Sequence, residues 1–304
     1  MKLRKKIIRK TKKNAPFLIK FIVYTCFITV IATTVTYFAF ARSTPQITPS
    51  VSTQGEKEQY VERGSPYDKT AEDGNVNVIL HGPRDTNKIA LTFDAEMTDG
   101  MKASYLTGRV KSSYDKRIID VLEQTQTKAT FFLTGMWIEL YPKETESFAK
   151  DPLFELGSHS YTDSSYHGAC FGLKVLSRAL AMEDLGTTEK LLREKAGIDN
   201  QLFRFPGGCY SPDDVKLVNQ IGDTVVHWDV VGEDGFTENT ERIIRNVVDK
   251  TQNGSIIVLH MNGAPTAPKT ADALPQIIAQ LQQKGFEFVK VSELLNLPPE
   301  QQLR

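Results

Sequence analysis

Ser255-Ile-Ile-Val-Leu-His260 opens on a serine and then runs apolar without a break until it stops on a histidine. A strand with no polar face is covered on both sides, the condition of a strand inside a parallel sheet flanked by helices. Ile89-Ala-Leu-Thr-Phe-Asp94 has a similar build and stops on an aspartate. Outward from these two, Val76–Leu80, Ala129–Leu133, Phe203–Phe205, Thr224–Trp228 and Phe286–Val289 read as further short strands, and Phe154–Ser158 leads into His159. Helical spacing falls between them, over Tyr114–Thr125, Gly135–Leu140, Leu176–Lys195, Pro212–Ile221, Thr237–Lys250 and Ala271–Lys284. Leu180, Leu185, Leu191 and Leu192 share one side of the third of these. This alternation predicts an α/β fold with a parallel sheet and about seven strand–helix units. No Gly-x-Gly-x-x-Gly loop and no fixed-period repeat interrupts it, which favours a distorted (β/α)7-type barrel over an open dinucleotide-binding sheet.

Charge is segregated along the chain. Its 37 Lys and Arg balance 37 Asp and Glu, but 9 of the basic residues precede Phe21, where there is no acid. The rest therefore holds 28 basic against 37 acidic side chains, and no basic patch with interleaved aromatics points to nucleic acid. Phe21–Ala41 is a 21-residue stretch without a charge, long enough to cross a bilayer. Basic residues before it place that end in the cytoplasm and the remainder outside. The competing reading is a cleaved export signal, since Ala39-Phe-Ala41 resembles a signal-peptidase site. Residues 42–75, rich in Ser, Thr, Gln, Pro and Glu, read as a flexible linker. The expected organisation is thus a basic leader (1–20), an anchor or signal (21–41), the linker, and a domain over 76–304. Of three cysteines, Cys170 and Cys209 fall outside the apolar span. In an oxidising compartment they either brace two loops as a disulfide or sit apart as small buried residues.

The chemistry gathers at strand ends, where parallel α/β folds collect ligands. Asp94 and Glu96 put two carboxylates at one strand mouth, one free to act as a base and the other to face a cation. His159 and Asp163 are four apart and could share an ion, with His167 as a further donor. Arg204, in Phe203-Arg-Phe-Pro-Gly-Gly208, suits bidentate bracing of a carboxylate. The backbone N–H groups of Gly207 and Gly208 could receive developing negative charge. Trp228 could wall a sugar pocket. His260, with Asp229 or Asp234 as its carboxylate partner, could protonate a leaving group.

In order and character these motifs resemble the polysaccharide deacetylase family, the NodB-like group also called carbohydrate esterase family 4. The likeness runs over roughly residues 87–297. Thr92-Phe-Asp94, His159-Ser160, Arg204-Phe-Pro-Gly-Gly208, Trp228-Asp229 through Asp234, and Leu259-His260 carry it. The resemblance implies a general base at Asp94, oriented by Arg204, and a general acid at His260, tuned by Asp229 or Asp234. It also implies an oxyanion contact near Gly207 and an acetate-pocket wall at Leu259. A divalent ion, zinc foremost with Mn, Co or Fe as alternatives, would be held by His159 and Asp163 with Glu96, Asp94 or His167. The sequence departs from the family at three points: Ala95 stands where a metal-binding aspartate is usual, Asp163 where a second histidine is usual, and Gly207 where an aromatic is common. The implied activity is metal-dependent removal of N-acetyl groups from an envelope or extracellular polysaccharide by a membrane-tethered enzyme, with no obligate protein partner. Two alternatives stand beside it: a catalytically silent envelope glycan-binding domain, and a hydrolase of another non-peptide amide.

Overall fold

The computed structural model describes residues 78–298 and 301–302. The leader, the 21–41 span and the whole of the 42–75 linker lie outside the described residues. Among the described residues no helix is long and apolar enough to cross a membrane.

Nine strands form one all-parallel sheet: β1 (Val78–Ile79), β2 (Lys88–Ala95), β3 (Ala129–Leu133), β4 (Phe154–Ser158), β5 (Leu202–Phe203), β6 (Thr224–Val226), β7 (Val230–Val231), β8 (Ile256–His260) and β9 (Glu287–Val289). Their order is β1-β6-β5-β4-β3-β2-β8-β7, with β9 paired to the start of β2. The apolar runs that predict buried strands form its centre: β3 and β4 are buried throughout, β2 is buried from Ile89 to Ala95, and β8 from Ile256 to Leu259.

The expected ring is present as a curled, open sheet. Beyond β1 the backbone meets the segment before β8 through a lone antiparallel bridge, His81 to Ser255. No continuous ladder forms there because β1 and β7 are two residues each. Arg84 takes over part of the connection, donating to the Asn253 carbonyl at 2.6 Å and to Asp229 at 2.7 Å.

The helices are α1 (Asp99–Leu106), α2 (Lys116–Thr125), α3 (Gly135–Leu140), α4 (Pro142–Lys150), α5 (Arg178–Leu191), α6 (Pro212–Asn219), α7 (Thr240–Val248), α8 (Thr270–Gln283) and α9 (Val291–Leu295). Each of the longer ones buries a stripe at helical spacing, as Ile118, Ile119 and Leu122 do on α2 and Ile243, Ile244, Val247 and Val248 on α7. These stripes join Leu91, Phe93, Phe131 and Leu259 in the main core.

α5 departs from expectation in two ways. It passes into a π-helical turn over Leu192–Ala196, and it leaves Leu180 exposed while burying Asp184. The reason is tertiary. Asp184 accepts hydrogen bonds from the Tyr161 and Thr162 backbone N–H groups and from the Tyr166 hydroxyl, fixing the loop after β4. α1 carries no periodic signal in the sequence because it buries no residue; Thr98 caps it through its hydroxyl.

Candidate functional site

β2 and β8 are neighbours in register, so Asp94 and His260 stand side by side at the carboxyl end of the sheet. Arg204, wholly buried, approaches from the end of β5. One terminal nitrogen donates to Asp94 Oδ1 at 2.7 Å and to the Thr92 hydroxyl at 2.8 Å. Nε and the other terminal nitrogen donate to the carbonyls of Val226 (3.2 Å) and His227 (3.1 Å). The guanidinium lies 3.9 Å from the centre of the Phe132 ring. Burial alone pushes the Asp94 carboxyl up, but Arg204, with His159 and His260, outweighs it and holds the group below the ordinary carboxylate range.

His260 is gripped from two sides. Its Nδ1 is 2.9 Å from Asp234 Oδ1, and its Nε2 is 3.3 Å from Glu96 Oε1. Asp234 Oδ2 also accepts from the His260 backbone N–H at 2.7 Å and from the Thr270 hydroxyl at 2.5 Å. Burial works against the charged imidazole, but Asp234 and then Glu96 overcome it and raise the pKa well above the usual value. This favours the charged ring, with Nδ1 hydrogen-bonded to Asp234 and Nε2 ion-paired with Glu96. Of the two carboxylates weighed as its partner, Asp234 meets it. Asp229 instead accepts from Arg84, the Ser255 hydroxyl and the Ile256 N–H. Asn262 anchors the Glu96 loop by exchanging two hydrogen bonds with the Glu96 backbone, at 2.7 and 3.1 Å.

His159 has the opposite character. Its Nδ1 is 2.9 Å from the Arg204 carbonyl, which can only accept, so Nδ1 carries the proton. Burial is the largest influence and lowers its pKa, keeping the ring neutral. Its Nε2 and Asp163 Oδ1 are buried and have no hydrogen-bond partner, and they lie 3.8 Å apart. Burial, then Glu96 and Asp94, push the Asp163 carboxyl well above its normal range.

The expected metal centre does not fit this arrangement. His159 and Asp163 offer two donors, fewer than the three or four protein ligands of an ordinary zinc site. Asp94 is committed to Arg204, although its Oδ2 comes within 3.8 Å of His159 Nε2. Ala95 adds no donor. Glu96 is turned to His260, and His167 faces Asp214 at 3.7 Å. Among the described residues no group of three or more His, Cys, Asp or Glu side chains is placed to hold a metal ion. This overturns the expectation of a divalent zinc, manganese, cobalt or iron cofactor, and with it that of a metal-dependent hydrolase removing N-acetyl groups.

The loops around the mouth are tightly fitted. Gly207 and Gly208 have φ of +61° and +71°, and a Cβ on Gly207 would lie 2.6 Å from Cys170 Sγ. On Gly208 it would lie 2.8 Å from the Trp228 ring, so neither position admits a side chain without movement. Cys170 and Cys209 form a disulfide joining the loop after β4 to the loop after β5. Trp228 is half-buried and stacks on His227, while Leu259 is fully buried beside Gly232. His227 is a second buried histidine beside His159, its pKa lowered to about 3 by burial and then by Arg204.

Sequence reasoning missed Thr92, Asn262, Thr270 and Asp184, all of which position the mouth. Thr92 lies within a quoted motif, and Asn262 lies two residues beyond one. Thr270 and Asp184 have no local signal, because their partners are 36 and up to 23 residues away.

Residues 81–226 match the family model described as polysaccharide deacetylase. A relative in Bacillus subtilis, the peptidoglycan-N-acetylmuramic acid deacetylase PdaC, is 28% identical over 244 residues, covering 78% of this chain but only 46% of PdaC. Among solved structures, the Bc1960 peptidoglycan N-acetylglucosamine deacetylase is 25% identical with a TM-score of 0.63, covering 75% of this chain and 95% of that one. BA3943 of Bacillus anthracis, described as a pseudoenzyme of carbohydrate esterase family 4, shares the fold at 23% identity and a TM-score of 0.58, covering 73% and 70% of the two chains. The chain belongs to the polysaccharide deacetylase family, which also contains pseudoenzymes.

Proposed function

We propose that this chain is a catalytically silent glycan-binding member of its family, working in the cell envelope on N-acetylated glycan of the peptidoglycan kind. One observation carries the reading. The mouth keeps Asp94, Arg204 and His260, yet among the described residues it has no side-chain cluster able to hold a metal ion. The charged groups that remain are paired with one another: Asp94 with Arg204, and His260 with Asp234 and Glu96. An imidazole held between two carboxylates, hydrogen-bonded to one and ion-paired with the other, is poorly placed to hand a proton to a leaving amine. The peptidoglycan deacetylases among the relatives support the choice of glycan. In this reading the curled sheet is the family's distorted barrel. Phe21–Ala41 is a single-pass anchor holding the domain on the outer face of the membrane; release after cleavage near Ala41 is the alternative.

The test uses the full chain purified in detergent. Cosedimentation with purified peptidoglycan sacculi, and acetate release from sacculi and from chitin oligomers with and without added zinc, are measured together. Binding without acetate release at either metal condition is expected. Zinc-stimulated acetate release, or no binding to either glycan, would sink the proposal.

A further inference from the structure

Among the described residues, the two most exposed large hydrophobics are Phe171 and Phe236, each 69% accessible, and they meet. Their ring centres are 5.8 Å apart at an interplanar angle of 48°. They are 65 positions apart in the sequence and come from different loops of the same mouth. Leaving two aromatic faces in water forfeits the gain of burying them, and both are held in that position. Phe171 has φ +46°, a left-handed conformation that costs a non-glycine residue free energy. The neighbouring Cys170 is buried and bonded to Cys209, and a turn from Leu173 N–H to the Cys170 carbonyl (2.8 Å) closes the loop. Phe236 is set by a turn to the Glu233 carbonyl at 3.0 Å, and Glu233 is tied down by Arg242 and Asn246.

Their placement connects them to the site. Phe171 Cδ2 is 3.1 Å from where a Cβ would stand on Gly207, so this ring fills space left by the missing side chain on the Arg204 side. Phe236 follows Gly235, whose own Cβ position is 3.6 Å from the His260 ring. The pair therefore joins the two sides of the mouth.

Resting on the glycan-binding reading above, we propose that Phe171 and Phe236 form a sugar-stacking subsite for one uncharged pyranose ring of the glycan. A pyranose presents C–H groups on its faces and hydroxyls at its edge. It can cover the aromatic rings while its edge faces the polar mouth, which a purely apolar segment could not satisfy. Charge points the same way. The chain beyond residue 20 carries 28 basic against 37 acidic side chains, a balance that disfavours a polyanion such as a phosphate-rich wall polymer. The disulfide holds Phe171 in place, so the subsite depends on an oxidised Cys170–Cys209 pair.

The experiment compares the full chain with Phe171→Ala, Phe236→Ala, Phe171→Trp, Phe236→Tyr and the double Cys170→Ser/Cys209→Ser variant. The probes are chitotetraose, by calorimetry, and purified sacculi, by cosedimentation; thermal melts confirm that each variant folds. Each alanine variant is expected to weaken chitotetraose binding about 5- to 10-fold with little change in melting temperature, the scale of one aromatic contact. The Trp and Tyr variants should bind within about 2-fold of the parent, and the double serine variant should weaken binding although still folded. A parent that binds sacculi, with alanine variants that bind equally well, would overturn the subsite and leave glycan binding intact. A parent that binds neither probe would overturn both. Alanine variants that lose only adsorption to phosphatidylcholine vesicles would reassign the pair to a lipid surface and overturn the subsite.

Discussion

His260 and His159 stand at the same sheet mouth, at the ends of β8 and β4, and the fold treats them in opposite ways. His159 is wholly buried and the His260 side chain is 17% exposed, and burial drives each toward the neutral form. His260 is offered a carboxylate on each nitrogen and is held charged. His159 is offered a carbonyl on one nitrogen and nothing on the other, and stays neutral. The difference teaches that partner geometry, rather than depth, decides protonation here. It also shows that one side of the mouth is fully satisfied and the other is not. Polar groups left unpaired in a buried site lower stability, whereas completed networks stiffen it.

The sharpest way to break this comparison is to remove the arginine that anchors both sides. Arg204→Met would leave Asp94 as a buried anion without its partner and would free the Val226 and His227 carbonyls. A loss of about 3–5 kcal/mol in unfolding free energy is expected, the scale of a buried ion pair broken from one side. Urea denaturation followed by circular dichroism reads it; a loss under about 1 kcal/mol would mean the pair is not buried as described.

A second, smaller effect tests the satisfied side. Asp234→Asn removes the larger of the two carboxylate influences on His260 and should lower its pKa, as read by NMR titration of the imidazole. The folded-state pKa of His260 lies above its unfolded value of about 6.5. Its stabilising contribution is therefore complete below about pH 6.5 and is lost as the pH climbs through the folded value. The parent should melt at progressively lower temperature across that alkaline window. Asp234→Asn should cost about 1–3 kcal/mol below the window and show a shallower alkaline decline. Equal alkaline slopes in the two proteins would show that the Asp234–His260 pair does not titrate as a unit.

The smallest effect belongs to the unsatisfied side. The folded pKa of Asp163 is raised, so the stability linked to its proton is present below about pH 3.9 and is lost as the pH rises toward the folded value. Asp163→Asn removes that penalty and suits the left-handed backbone at this position, where φ is +53°. A gain of about 1 kcal/mol near pH 7 is expected, shrinking as the pH falls toward 4. A destabilised variant at pH 7 would mean the Asp163 carboxylate has a partner that matters.

The sequence revealed the parts of the fold that depend on local apolar runs. Residues 89–93 and 256–259 are readable as interior strands because nothing polar interrupts them beyond Thr92, whose hydroxyl donates to the Ile257 carbonyl. The site residues Asp94, Arg204 and His260 were legible because each ends such a run or follows it. What was not legible depends on partners distant in the chain. An aspartate on α5 reads as a surface residue until Tyr161, Thr162 and Tyr166 are brought to it. Glu96 reads equally well as a metal ligand or as a partner of His260, and only the Asn262 contacts fix which way its loop turns. The choice of Asp234 over Asp229 was likewise decided by Arg84, far upstream. The disulfide could not be told from two separate thiols, because their approach depends on how β4 and β5 are placed.

The narrow join between His81 and Ser255 has a dynamic consequence. A sheet opens first where the fewest backbone hydrogen bonds must be broken together, and this seam has one bridge with Arg84 side-chain bonds in place of a ladder. Amide protons of His81, Gly82 and Arg84 and of residues 253–255 should therefore exchange with solvent by local opening, well before those of β2, β3 and β4. The domain can thus part along one edge while its core stays intact.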